Sequence, residues 1–248
     1  MTAELIGISF SVTLIFFSIS IAVVVFSADK FIDYSSILAG RLGVSEFIIG
    51  LTLIAFGTSI PEIFVGVQAV QNQAENLAVS AIIGSNISNI ALIFGIACIG
   101  RSLIPEKNAT RLRLYIPLIL SVVLLIYALT DLKIDKFDSL LIIMILPIFI
   151  YCVYTDKNIG VINKNDISSM SNFMLAAGLI LMTVLLFYAA EGVVITGLDI
   201  ASRLGISSTI VGLILIAIGT SLPELAATVA AIFKKKPDLV VGNVIGSN

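Results

Sequence analysis

Long apolar runs alternate with short polar stretches along almost the whole chain. A helix that crosses a bilayer takes about 20 apolar residues. Runs of that order fall near residues 5–27, 44–72, 77–100, 112–130, 139–154, 173–190 and 206–233, and an eighth begins near Leu239. No Lys or Arg precedes the first run, and it is too long for the apolar core of a signal peptide, so it reads as a true span. The pattern predicts an all-α integral membrane protein.

The runs are not independent of one another. Displacing the chain by 162 residues aligns 28–86 with 190–248, giving 25 identities in 59 positions without a gap. The densest block sets GLTLIAFGTSIPE, ending at Glu62, on GLILIAIGTSLPE, ending at Glu224. Agreement that runs through polar residues marks duplication rather than a shared lipid-facing composition. Each repeat holds five spans, an odd number, so the halves should lie upside down relative to each other, as in transporters built from inverted repeats. The first five-helix repeat should occupy residues 1–154, with its duplicated core at about 44–100. A short cytoplasmic linker, 155–172, should lead into the second repeat, 173–248, whose duplicated core starts near 206. On this five-plus-five plan the second half is truncated within its eighth span, and the fragment alone is expected not to transport.

Composition narrows the class. The 248 residues are 58% hydrophobic and 12% charged, with a mean hydropathy of +1.13. A soluble domain carries about 25% charged residues, and half that number cannot cover a soluble surface. A net charge of −2, with no basic run longer than Lys234 to Lys236, leaves no electrostatic footprint for nucleic acid. With no histidine, imidazole catalysis and His-based zinc sites are excluded. Cys98 and Cys152 lie inside apolar runs and are expected to be small core residues.

Charge placement gives orientation. Eleven of the 14 basic residues (Lys30, Arg41, Arg101, Lys107, Arg111, Arg113, Lys157, Lys164 and Lys234 to Lys236) fall on one side of the drawn spans, and Lys133, Lys136 and Arg203 on the other. Basic loops stay cytoplasmic, so the amino terminus of this multi-pass cell-membrane protein should face outward. The first GTSxPE helix then runs from inside to outside and the second from outside to inside.

Each GTSxPE block lies in the middle of its run, which puts Glu62 and Glu224 near the bilayer midplane. A charge there costs at least about 2.5–3.5 kcal/mol and marks a functional site by default. No Lys or Arg lies within the two spans that carry them, so the carboxylates must be protonated or neutralised by bound cations. Two brought together suit a multivalent cation better than a monovalent one, and oxygen donors favour Ca²⁺ or Na⁺. Pro61 and Pro223 should break their helices and free carbonyl oxygens around residues 55–57 and 217–219. Thr58, Ser59, Thr220 and Ser221 add hydroxyls. In the next span Gly84-Ser85-Asn86 repeats as Gly246-Ser247-Asn248, and Asn89 lies one turn beyond Ser85 on the same face. Gly84 could instead serve close helix packing. Asp29 and Glu191, also repeat equivalents, read as interfacial and solvated, with an ion-access role as the sharper alternative. Residues 131–138 read as a solvated outer turn.

The doubled GTSxPE followed by GSNxxN resembles the α-repeats of the Ca²⁺/cation antiporter superfamily, most closely the prokaryotic sodium/calcium exchangers. The match spans about residues 28–94 and 190–248. It implies ten helices with a central cation cluster, in which Glu62 and Glu224 bind calcium. Thr58, Ser59, Thr220 and Ser221 would line sodium sites with the carbonyls of Ala55 and Ala217, and Ser85, Ser247 and Asn89 would add oxygens. Gliding of the first and sixth helices would give alternating access, sodium running inward to drive calcium outward. The first half departs from the second at Ser80-Ala81 against Gly242-Asn243, a turn before the site, which puts little in doubt. The counterpart of Asn89 would lie beyond Asn248, and its charge would influence which ions are coupled.

The resemblance implies a sodium/calcium antiporter whose partners are the bilayer, Na⁺ and Ca²⁺, with no cofactor besides transported ions and no obligate protein partner. A Ca²⁺/H⁺ or a K⁺-dependent Na⁺/Ca²⁺ antiporter is the alternative. A cation channel could use the same oxygens but would not need an inverted repeat. An enzyme would want an acid–base dyad beside a substrate groove, and no nucleophile or phosphate loop accompanies the carboxylates.

Overall fold

The computed structural model describes residues 9–73, 75–100, 112–130, 135–155, 170–205 and 221–248. Among these residues every regular element is helical. Helix α1 spans Phe10–Leu42, α2 Glu46–Thr58 and α3 Ile60–Gln71. Helix α4, Glu75–Ile87, continues through a π turn, Ser88–Phe94, into α5, Gly95–Gly100. Then follow α6 Leu112–Ala128, α7 Lys136–Ile143, α8 Ile145–Tyr154, α9 Asn172–Arg203, α10 Leu222–Phe233 and α11 Pro237–Gly246.

Four described helices are long and apolar enough to cross a membrane, or five if the bent pair α2–α3 is one span. Their outer faces expose large apolar side chains, such as Ile15 and Phe16 on α1 and Phe173 on α9, as lipid-facing surface requires. The exposed set includes Cys98, contrary to its expected place in the core, while Cys152 is half-buried.

The long helices overrun the expected spans. The first was placed at 5–27 and the sixth at 173–190, but α1 runs to Leu42 and α9 to Arg203. Hydropathy stops where charges begin, whereas the helix continues because those charges are paired. Lys30 and Arg41 therefore lie inside α1 rather than in a loop. Arg41 donates to Asn172 Oδ1 at 2.6 Å and to the Met170 carbonyl, and Arg203 bonds Asp199 at 2.8 Å. Asp29 is neither free nor simply solvated: its Oδ1 lies 2.7 Å from Lys234 Nζ. Glu191 is exposed. Asp135 and Asp138, at the end of the expected outer turn, form a capping box that starts α7; residues 131–134 lie outside the described residues.

The duplication is visible in the caps. Ser9 and Ser171 cap α1 and α9 by accepting from Val12 N and Met174 N. Gly43 and Gly205, just past the same helices, have φ of 73° and 74°, the left-handed conformation that glycine adopts without steric cost. Ser59 and Ser221, before α3 and α10, have φ, ψ of −86°, 7° and −87°, 9°. Members of each pair are 162 residues apart. The two long helices run antiparallel. Thr13, near the start of α1, donates to Asp199 near the end of α9 at 2.8 Å, while Arg41 at the other end reaches Asn172.

A buried cluster including Phe31, Ile32, Ile54, Leu179, Ala227 and Leu239 joins α1, α2, α9, α10 and α11. Helices α2 and α11 approach closely, through glycine. A Cβ on Gly50 would stand 2.8 Å from the Leu239 carbonyl oxygen, and one on Gly246 2.7 Å from Ala55 Cβ. This contact fixes the α11 side chains against the broken end of α2.

Candidate cation site

The expected 44–72 span is two helices meeting at 42°. Within α2 a π turn occupies Gly50–Ile54, and α2 stops at Thr58 because Pro61 enters at the first turn of α3, where its missing N–H costs nothing. Proline likewise occupies the first turn of α10. Glu62 falls in the first turn of α3, after the break, and Glu224 in the first turn of α10, each at the positive end of a helix dipole.

Glu224 is almost wholly buried, at 1% exposure, and Glu62 is half-buried. The two carboxylates interact electrostatically. Ser59 Oγ donates to Glu224 Oε1 at 3.0 Å, and Ser85 Oγ to Glu62 Oε1 at 3.3 Å. Each carboxylate therefore has one oxygen oriented by a serine. The other, Oε2 in both cases, is buried and has no hydrogen-bond partner. Asn89, on the π turn after α4, donates from Nδ2 to Ser247 Oγ at 3.1 Å, and its Oδ1 is likewise buried and unpartnered. Ser221 Oγ is a further buried oxygen without a partner.

Buried polar atoms are normally satisfied, because leaving one unpaired costs about 1–3 kcal/mol and more for a charged group. Orphaned carboxylate oxygens from both repeat motifs, with an amide and a hydroxyl oxygen of the same motifs, form a set of oxygens suited to a cation. No group of three or more His, Cys, Asp or Glu gathers among the described residues. A bound cation would thus meet two carboxylates and otherwise neutral oxygens, the hard donor set of Na⁺ and Ca²⁺.

These bonds pair Ser59 with Glu224, Ser85 with Glu62 and Asn89 with Ser247, while Thr58 adjoins Ser59 and Ser221 precedes α10. Ala217 and Thr220 lie outside the described residues. Ala55 differs from expectation in one respect. Its carbonyl is not freed by the break, since it accepts from Ser59 N at 3.0 Å and lies 3.3 Å from Thr58 Oγ1. The turn closes locally before the proline acts.

Sequence reasoning missed Asn243. It was set aside as lying a turn before the site, yet it is 2% exposed and within 3.4 Å of Thr58 Oγ1. The signal was available: Asn243 and Ser247 are one helical turn apart and share a face, as Ser85 and Asn89 do. Gly84 also differs from its repeat partner Gly246. A Cβ there would meet nothing within 4 Å among the described residues.

The family model for the sodium/calcium exchanger protein matches residues 12–155 and 174–248. The chain is 30% identical over 261 residues to the sodium/calcium exchanger MaX1 of Methanosarcina acetivorans, covering 89% of this chain and 75% of that protein. It is 32% identical over 246 residues to the inner membrane protein YrbG of Escherichia coli, covering 93% and 74%. Among solved structures, the sodium-calcium exchanger NCX_Mj soaked with 10 mM Na⁺ and no Ca²⁺ superposes with a TM-score of 0.82 at 29% identity, over 96% of this chain and 79% of that one.

Proposed function

Because the chain belongs to the sodium/calcium exchanger family, we propose that it exchanges Na⁺ for Ca²⁺ across a prokaryotic plasma membrane by alternating access. The observation that carries this reading is the pair of buried, unpartnered carboxylate oxygens on Glu62 and Glu224. Two like charges drawn together in a low-dielectric site repel strongly. One divalent cation, or more than one monovalent cation, removes that repulsion, and bare protein does not.

Competition follows from sharing. Glu62 and Glu224 supply the charge for Ca²⁺, with Ser85, Asn89 and Ser247 as neutral ligands. Thr58, Ser59, Ser221 and the Ala55 carbonyl, with Thr220 and Ala217 from the second repeat, form the sodium side. Sodium on that side draws on the same carboxylates, so the two cargoes exclude each other and their fluxes couple. Five-helix repeats at 1–154 and from 173, joined by the linker 155–172, form an inverted pair with the amino terminus outside. The antiparallel course of α1 and α9 supports this plan. Movement of α1 and α9 past the cation-binding helices opens the site to one side at a time.

The test uses the full-length protein in sodium-loaded proteoliposomes diluted into sodium-free buffer. Radiocalcium uptake should require the sodium gradient and fall to background in Glu62→Gln. Uptake driven equally by a proton gradient would make the protein a Ca²⁺/H⁺ antiporter. Calcium flux with no countertransported ion would make it a channel.

A further inference from the structure

Asn243 has no counterpart in the first repeat, where Ala81 stands. It is buried on α11, held over the break in α2 by the glycine contact described above. Its side chain faces three groups. Nδ2 reaches the Glu224 carbonyl oxygen at 3.5 Å and Thr228 Oγ1 at 3.2 Å. A carbonyl can only accept, so Nδ2 must be on that side and Oδ1 must face Thr58, whose Oγ1 is 3.4 Å away.

Thr58 has one hydroxyl proton and, besides Asn243, one other acceptor in reach, the Ala55 carbonyl at 3.3 Å. That carbonyl is an oxygen a cation would use. A proton given to it would occupy a ligand lone pair and turn the hydroxyl's own lone pairs away from the ion. Asn243 Oδ1 is the one acceptor of the two that the site does not otherwise need. We infer that Asn243 is a positioning residue that takes the Thr58 hydroxyl proton, leaving Thr58 Oγ1 and one lone pair of the Ala55 carbonyl open to sodium. Ala81 can do nothing similar for the second repeat, so the two halves present unequal sodium sites.

The inference rests on the exchange reading above, and the experiment separates the two. Wild type, Asn243→Ala, Thr58→Ala and the double variant are compared as full-length proteins in proteoliposomes. Asn243→Ala should raise the sodium concentration for half-maximal exchange about three- to ten-fold, the worth of one buried hydrogen bond, and shift calcium half-saturation far less. In the Thr58→Ala background the same change should add nothing. A general packing defect would instead shift both ions together and add to Thr58→Ala, and that result would overturn the inference. Thr228→Val, which removes a different partner of Asn243, should leave the sodium dependence near that of wild type; an equal loss there would also count against it. If wild type shows no sodium-dependent flux, the exchange reading fails. The rise of Tm with added NaCl then scores the same variants, and an Asn243→Ala protein whose rise matches wild type would still overturn the inference.

Discussion

At the scale of single residues, the site is organised by what its side chains leave unsatisfied. Glu224 is buried with one oxygen held by Ser59 and the other unpartnered. A group in that condition resists burial when charged, so the cation-free fold carries a penalty that cation binding relieves. Ca²⁺ should therefore raise the Tm of the detergent-solubilised protein. At a hundredfold excess over its Kd the gain is about 2.7 kcal/mol. Glu224→Gln should fold, because its amide still accepts from Ser59, and should be no less stable than wild type without cation. Its Tm should not move with calcium. A variant that kept the calcium-dependent rise would remove Glu224 from the site; one that failed to fold would mean the carboxylate is structural.

At the scale of elements, the same GSN motif has two mechanical roles. Gly246 lies against α2, where an added Cβ would be 2.7 Å from Ala55 Cβ and 2.8 Å from the Leu51 carbonyl carbon, while a Cβ on Gly84 would touch none of the described residues. Gly246→Ala should push α11 from α2 and cost about 1–3 kcal/mol through overpacking. Gly84→Ala should be neutral or stabilise α4 by about 0.5–1 kcal/mol, through lost chain entropy in the unfolded state. Thermal unfolding of the two variants side by side decides this; equal losses would place Gly84 in an unseen contact. The sequence could not separate these glycines, since both motifs read identically and only tertiary contact distinguishes them. The long apolar helices, the break at Pro61 and the burial of Glu62 and Glu224 were legible because hydropathy, proline and a duplicated acidic residue act locally. Helix ends were not. The continuation of α1 past residue 27 depends on Asp29 and Asp33 finding Lys234 across the fold, which no window along the chain records. Asn243 was overlooked for a related reason, because its value lies in Thr58, 185 residues away.

At the scale of the whole molecule, the repeat is broken where its two ends would move. Lys234, just after α10, places Nζ 2.7 Å from both Asp29 and Asp33 on α1. Burial works against its charge, but the bonds to the two carboxylates outweigh it and hold the ammonium above its ordinary pKa. Lys234 is therefore charged across the neutral range. The position related to Lys234 by the repeat is Asn72, and that related to Asp29 is Glu191. Asparagine cannot make the corresponding ion pair, so α9 lacks the brace that α1 has. On the proposed alternating-access cycle α1 moves past α10, and one of the two end states then includes an ionic contact absent from the other. A partly exposed ion pair contributes about 0.2–1 kcal/mol, enough to shift a two-state population up to about five-fold. In Lys234→Gln, the distance distribution between spin labels on the Lys234-side ends of α1 and α10 should gain weight at longer separation. High salt should move wild type the same way and leave the variant unchanged. Superimposable distributions at every salt concentration would show that the contact follows the conformation rather than biasing it.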